Sequence, residues 1–107
     1  MNAFYYLEPC IPEQRDGAYD EAAQIQRVKG EYEEMQKAYE KWQASGDVKD
    51  EVDYLAELID TMTALATQIW AHTQGDERRI KDVIGMVNLK NKLRGYHDGT
   101  RRYHDGD

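Results

Sequence analysis

Two pairs of acidic residues stand out in this sequence, because the residues of each pair are spaced to point the same way from a helix. Glu31 and Glu34 form the first pair, and Glu57 and Asp60 form the second. Residues with this spacing are neighbours on a helix surface, so each pair would present two carboxylates together. Carboxylates that share a poorly solvated site need a cation, a proton or an arginine to be stable there.

The second acid pair lies in a segment, residues 51–70, that has two chemically different sides. At about 3.6 residues per helical turn, the large apolar side chains share one broad face: Val52, Leu55, Leu58, Ile59, Met62, Leu65, Ala66, Ile69 and Trp70. The acids fall on the other side among small residues, which are Ala56, Thr61, Ala64, Thr67 and Ala71. Small residues allow a second helix to approach closely. We therefore expect this helix to be buried on both sides, with the large apolar face in the core.

A first long helix is predicted from about residue 19 to residue 44, with Asp16 or Asp20 near its start and Gly46 at its end. Its apolar stripe follows three- and four-residue steps through Ile25, Val28, Tyr32, Met35, Tyr39 and Trp42. The first acid pair lies beside this stripe. A short loop joins the two helices, so an antiparallel arrangement would bring both acid pairs into one cluster.

A third helix is predicted from Asp76, which can cap its start, to about Arg94, with Gly95 as its stop. Its inner stripe begins as Ile80, Val83, Ile84 and Val87 and continues as Asn91 and Arg94, with Lys90 beside it. A change from apolar to polar residues along the inner face of a helix indicates either a solvated helix end or a binding site. The sequence leaves both interpretations open.

Composition limits the class of protein. The chain has 107 residues, enough for one domain with a core. Its net charge of −7 argues against binding nucleic acid through the overall field. Cys10 is the only cysteine, so an intrachain disulfide is excluded and a reducing compartment is expected. We find neither an apolar run of membrane-spanning length nor a leader, and therefore expect a cytoplasmic protein without a membrane partner.

These elements predict an all-α fold, an antiparallel helical bundle, in three regions. Residues 1–17 carry both prolines and the cluster Phe4-Tyr5-Tyr6, which indicates an extended aromatic arm. Residues 18–95 would form a single helical domain. Residues 96–107 are polar and contain Tyr-His-Asp-Gly twice, so we expect a flexible tail.

The chemistry that suits four clustered carboxylates is that of a hard divalent cation, because like charges otherwise raise one another's pKa. Mg²⁺ binds a few carboxylates together with water and substrate phosphate, and Mn²⁺ could replace it. Neither histidine nor cysteine accompanies the acids along the sequence, which disfavours a zinc or di-iron site. Such a magnesium cluster is suited to hydrolysing phosphoanhydrides. Lys90, Asn91 and Arg94 would donate hydrogen bonds to a triphosphate.

Three segments of the chain resemble the all-α nucleoside triphosphate pyrophosphohydrolases, the superfamily that includes MazG and the dimeric dUTPases. They are RVKGEYEEM (27–35), YLAELIDTMTAL (54–65) and NLKNKLRGY (88–96), and the likeness is greatest to small MazG-like proteins of phages and bacteria. The resemblance implies a MazG-like bundle completed by oligomerisation, as a homodimer or homotetramer in a bacterial or phage-infected cell. It also implies cleavage of an NTP or dNTP between the α- and β-phosphates, which yields a monophosphate and pyrophosphate and serves nucleotide-pool housekeeping.

The same resemblance assigns roles to individual residues. The family's Mg²⁺ ligands correspond to Glu31, Glu34, Glu57 and Asp60, one of which would act through the nucleophilic water. Its phosphate- or sugar-binding residues correspond to Lys90, Asn91 and Arg94. The aromatic arm and the repeated tail are not part of the family pattern, so the identity of the nucleotide stays open.

A second interpretation is a non-catalytic acidic helical interaction protein. Its acid pairs would then mimic a nucleic acid for a basic partner. Alternatively, the chain would be an oligomerisation module whose acids pair with Arg78, Arg79 or Lys81 of a neighbouring subunit.

Overall fold

A computed structural model describes residues 3–97, the side chains of Ala3 and Tyr5 excepted. Three helices dominate this part: α1 (Glu21–Ser45), α2 (Val48–His72) and α3 (Glu77–Leu93). A 3₁₀ helix (Ala3–Tyr6) and two short strands, β1 (Gln14–Arg15) and β2 (Ala18–Tyr19), precede them. The predicted helical class is confirmed. The chain forms two compact units, one ending at Gly75 and the other beginning at Asp76, and each is described by itself.

Helices α1 and α2 form an antiparallel hairpin whose ends are set by local signals. Asp20 caps α1, since its side chain accepts a hydrogen bond from the backbone N–H of Ala23 at 3.0 Å. Gly46 ends α1 with a left-handed backbone (φ 68°) that glycine adopts without strain. Only Gly46 and Asp47 separate the two helices. The Gly46 stop is as predicted, and Asp20 rather than Asp16 is the cap.

Asp16 instead lies in the turn of a small antiparallel hairpin that the sequence analysis did not predict. Gln14 pairs with Tyr19 across it. Asp16 and Gly17 form the two-residue turn, with φ values of 54° and 80°. Aspartate followed by glycine is favoured in such turns because both positions need positive φ.

The two helices pack through the small face of α2. Ala64 and Thr67 are buried there. Most of the large apolar face of α2 is exposed, with exposed fractions between 42% and 55% for Val52, Leu55, Ile59, Leu65, Ile69 and Trp70. The other residues of this face, Leu58, Met62 and Ala66, are half-buried. Among the described side chains, Ala64 is the only apolar one that is fully buried. The prediction that this helix is buried on both sides is therefore not met within the described chain, because each helix of a two-helix hairpin can cover only one side of the other.

An aromatic cluster and a buried acid close the end of the hairpin near the α1–α2 loop. Trp42 stacks on Tyr54 with ring centroids 5.6 Å apart, and Tyr39 packs against both rings. Asp50 is buried and accepts a 2.6 Å hydrogen bond from the Ser45 hydroxyl. These contacts fix the register of the two helices at this end.

Helix α3 begins and ends as predicted. The side chain of Asp76 accepts from the backbone N–H of Arg79, and Gly95 follows the helix with φ 74°. Its predicted inner stripe is not buried, since Val83, Ile84 and Val87 are exposed and Ile80 is half-buried. Residues 98–107, most of the predicted tail, lie outside the described part. Within residues 3–97, the helices are too short or too polar to cross a membrane.

Candidate metal centre

Three carboxylates converge where α1 packs against α2. Glu31 of α1 and Glu57 and Asp60 of α2 each offer an oxygen, and these oxygens lie within 4.8 Å of one another. Glu31 and Glu57 are half-buried, and Asp60 is exposed. We call these three residues the acid triad. The small residues of α2 bring its acids close to α1, which is the relationship that the sequence predicted.

Glu34, the fourth predicted acid, is outside the triad. It is exposed and lies 3.9 Å from the ammonium group of Lys37. With Glu57 and Asp53 it lines a separate cavity of about 280 Å³, whose other walls are Lys37, Ala38, Lys41 and Asp50. The structure thus brings three of the four predicted acids together and leaves Glu34 beside them.

The electrostatics of the triad centre on Glu57. Desolvation by burial is the largest cause that raises the pKa of this carboxyl above its usual 4.5. The negative charges of Asp60, Glu31, Glu34 and Asp53 raise it further, in decreasing order. A raised carboxyl pKa means that the ionised form is disfavoured in the folded protein. A cation bound at the triad would remove this penalty.

A cavity of about 200 Å³ opens beside the triad. Glu31 and Asp60 contribute to its walls, and the other lining residues are Cys10, Gln24, Arg27, Thr63, Ala64 and Thr67. No pattern in the sequence predicted a role at the site for Cys10, Gln24 or Arg27. Spacing alone could have indicated Arg27, which lies one helical turn before Glu31 on α1 and therefore faces the same way.

Gln24 attaches the N-terminal arm to the helix hairpin. It is fully buried. Its side-chain Oε1 accepts the backbone N–H of Glu13 at 2.9 Å, and its Nε2 donates to the carbonyl of Ala64 at 3.1 Å. The N–H of Cys10 also donates to Thr67 Oγ1 at 2.9 Å. Glutamine is usually exposed on helices, so no feature of the sequence identified this buried amide.

The predicted phosphate-binding residues lie at the C-terminal end of α3. Asn91 is half-buried, whereas Lys90 and Arg94 are exposed. The backbone N–H of Arg94 donates to the carbonyl of Lys90, which closes the last helical turn. These residues belong to the second unit, and their contact with a phosphate stays a prediction.

The donor set of the triad fits a hard divalent cation. Three carboxylate oxygens in close reach are typical ligands of Mg²⁺ or Mn²⁺. In the part of the chain that the structure describes, no lysine, arginine or histidine nitrogen lies within 4.0 Å of the triad carboxylates. Within residues 3–97, therefore, no salt bridge neutralises their charge.

Comparison of the chain with protein families, characterised proteins and solved structures finds no match. The resemblance to the all-α pyrophosphohydrolases therefore depends on the three sequence segments named above.

Proposed function

We propose that this protein is a Mg²⁺-dependent nucleotide pyrophosphohydrolase that cleaves an NTP or dNTP between its α- and β-phosphates. The observation that carries the proposal is the convergence of Glu31, Glu57 and Asp60, three carboxylates without a salt-bridge partner among the described residues. Their spacing along the chain is also the spacing that resembles the pyrophosphohydrolases. A metal held by carboxylates beside a polar cavity suits hydrolysis of a phosphoanhydride.

The acid triad would hold the cation. Bound Mg²⁺ supplies charge neutralisation at the phosphate and lowers the pKa of the attacking water. Glu34 lies beside the triad without belonging to it, and its charge acts on Glu57. We assign to Glu34 the role of accepting a proton from the water whose oxygen bonds to phosphorus as the bridging oxygen leaves. Lys90, Asn91 and Arg94 remain the proposed donors to phosphate or sugar.

The proposed active form is a homo-oligomer, a dimer or a tetramer. The large apolar face of α2 supports this, together with exposed Ile25, Tyr32 and Tyr39 on α1. Many exposed large apolar side chains on one element are typical of a protein–protein interface. Two hairpins that pack by these faces would form a four-helix bundle with a real core.

Pyrophosphate release from a panel of NTPs and dNTPs in the presence of Mg²⁺ tests the proposed activity. At least one nucleotide should be cleaved, and Glu57→Gln should lower the rate by about a hundredfold or more. Glu33→Gln, at an exposed position outside the triad, makes the same charge change and should leave the rate unaltered. Absence of cleavage across the panel, or a Glu57→Gln variant as active as the wild type, would refute the proposal.

The exposed apolar faces also favour a second candidate, a non-catalytic oligomerisation module. Thermal unfolding in the presence of Mg²⁺ and a nucleotide distinguishes the enzyme from the oligomerisation module. A ligand that binds the folded state stabilises it, so the enzyme should melt at a higher temperature, and a module should not respond.

A further inference from the structure

The guanidinium group of Arg27 lines the cavity beside the acid triad, and its ion-pair partner comes from the N-terminal arm. Of the described residues that line this cavity, Arg27 is the only basic one, and Glu31 and Asp60 line it as well. Its guanidinium Nη1 lies 3.4 Å from Glu13 Oε1. Glu13 is held next to α1 because its backbone N–H donates to Gln24. The arm therefore supplies both a tether and a counter-ion.

The ion pair between Arg27 and Glu13 can be broken with little loss of stability. Both side chains are well exposed, at 40% and 43%. Exposed ion pairs contribute little to stability, because both charges are well solvated when they separate. A phosphate group carries more charge than a carboxylate and presents several acceptor oxygens, so arginine binds it more strongly.

Apart from the two carboxylates that would hold the metal, Arg27 is the charged group that the described walls of the cavity offer to a ligand. The described lining residues are hydroxyl, thiol, amide, carboxylate and guanidinium groups with one alanine, and they include no aromatic ring on which a base could stack. Thr63 donates its hydroxyl hydrogen to the carbonyl of Ile59, so its oxygen is an acceptor toward the cavity. Arginine is then the group that can hold an anion there.

We propose that this cavity binds the phosphate chain of the nucleotide, with Arg27 as its counter-charge, and that the Glu13 carboxylate holds Arg27 until phosphate replaces it. This inference rests on the proposed function, since the metal at the triad would share the same phosphates. Arg27 is then a substrate-binding residue, and Glu13 is a competitor that links the arm to ligand binding.

Inorganic pyrophosphate is the probe, titrated calorimetrically into the full-length protein with and without Mg²⁺. Binding of Mn²⁺ alone is measured separately. Arg27→Ala should weaken pyrophosphate binding at least about tenfold and leave Mn²⁺ binding unchanged, and Arg27→Lys should restore part of the loss. Glu13→Gln frees Arg27 and should bind pyrophosphate as tightly as the wild type or a few-fold more tightly. Lys29→Ala removes an exposed charge from the same helix outside the cavity and should have no effect.

Pyrophosphate binding that is unchanged in Arg27→Ala would overturn the inference. An equal loss of pyrophosphate affinity in Glu13→Gln would also overturn it, because the ion pair would then merely support the arm. The outcomes for the proposed function are separate, because absence of Mn²⁺ binding or of nucleotide cleavage would count against the enzyme. In that case, pyrophosphate binding without metal that still depends on Arg27 would support the cavity site, and its absence would overturn it.

Discussion

The carboxylates of Glu31 and Glu57 come from two consecutive antiparallel helices and offer oxygens within 4.8 Å of each other. Each would repel the other in the absence of a counter-charge. The packing of α1 on the small face of α2 nevertheless holds them together, with Ala64 and Thr67 buried in the contact. Among the described residues, no basic group forms a salt bridge with either carboxylate, so the packing of the two helices holds two like charges close together.

Metal binding should depend on the triad and not on the overall negative charge. Asp60→Asn or Glu31→Gln should weaken Mn²⁺ binding by at least about tenfold, since loss of even an outer-shell partner of a metal ligand typically costs ten- to a hundredfold. Titration of Mn²⁺ by electron paramagnetic resonance measures this. Glu33→Gln is the control, and equal losses in all three variants would mean that Mn²⁺ binds nonspecifically.

Glu34 should contribute to turnover more than to metal binding. It lies outside the triad, so Glu34→Gln should bind Mn²⁺ within about threefold of the wild type. If it accepts the proton of the attacking water, the same variant should lose about a hundredfold or more in kcat. Parallel binding and single-turnover measurements separate the two effects. A large loss of Mn²⁺ affinity in Glu34→Gln would instead make Glu34 a fourth ligand.

The contribution of Glu57 to the stability of the metal-free protein should become more favourable as the pH falls below the raised pKa of this carboxyl. The pKa of Glu57 is raised in the folded state, so its ionised form destabilises that state relative to the unfolded chain. This penalty is fully present above the raised folded pKa and disappears as the pH falls to the ordinary value of the unfolded chain. Glu57→Gln should therefore unfold with a free energy roughly 0.5 kcal/mol higher at pH 7, because it removes the desolvation cost and the like-charge repulsion of the ionised carboxyl.

The quantity to measure is the difference in free energy of unfolding between Glu57→Gln and the wild type, because other acids titrate in the same pH range. Urea unfolding at several pH values should show that this difference shrinks as the pH falls. Saturating Mg²⁺ should reverse its sign, since the wild type gains binding energy that the variant lacks. A variant less stable than the metal-free wild type at pH 7 would contradict this account.

The helices and three converging acids could be predicted because helix ends and side-chain directions follow local rules, and a short loop places the two helices side by side. The Asp20 and Asp76 caps and the Gly46 stop are local signals, and acid spacing relative to an apolar stripe gives the direction of each side chain. Gln24 could not be predicted, because its role depends on an arm 11 residues earlier and a helix 40 residues later. Such partners are set by tertiary packing alone.

The prediction that both faces of α2 are buried was not met for a different reason. Periodicity shows that α2 has a large apolar face and a small face, but it does not show which face the same chain covers. Only one helix is available to pack within the hairpin, and it takes the small face with Ala64. The large face, with Leu55 and Ile69, is left exposed for another surface.

The exposed apolar face should mediate self-association. Leu55→Lys or Ile59→Lys introduces a charge on that face and should shift the protein toward monomer in light-scattering measurements, because a charge at an apolar interface is costly to desolvate. Gln26→Lys adds the same charge at an exposed position of α1 and should leave the assembly intact. A wild-type protein that is monomeric at high concentration would contradict the proposed oligomer.

Gln24→Ala should loosen the N-terminal arm and destabilise the hairpin. The variant leaves the N–H of Glu13 without its acceptor and removes the donor to Ala64, at a cost of about 2 kcal/mol for a buried hydrogen-bonded group. Hydrogen exchange should accelerate at the Glu13 amide and at the Cys10 amide, which donates to Thr67. Gln26→Ala, on the exposed side of the same helix, is the matched control and should change stability by less than about 0.5 kcal/mol. Unchanged exchange at both amides would show that the arm does not depend on Gln24, and the cavity beside the triad would then lack the support that we assign to that side chain.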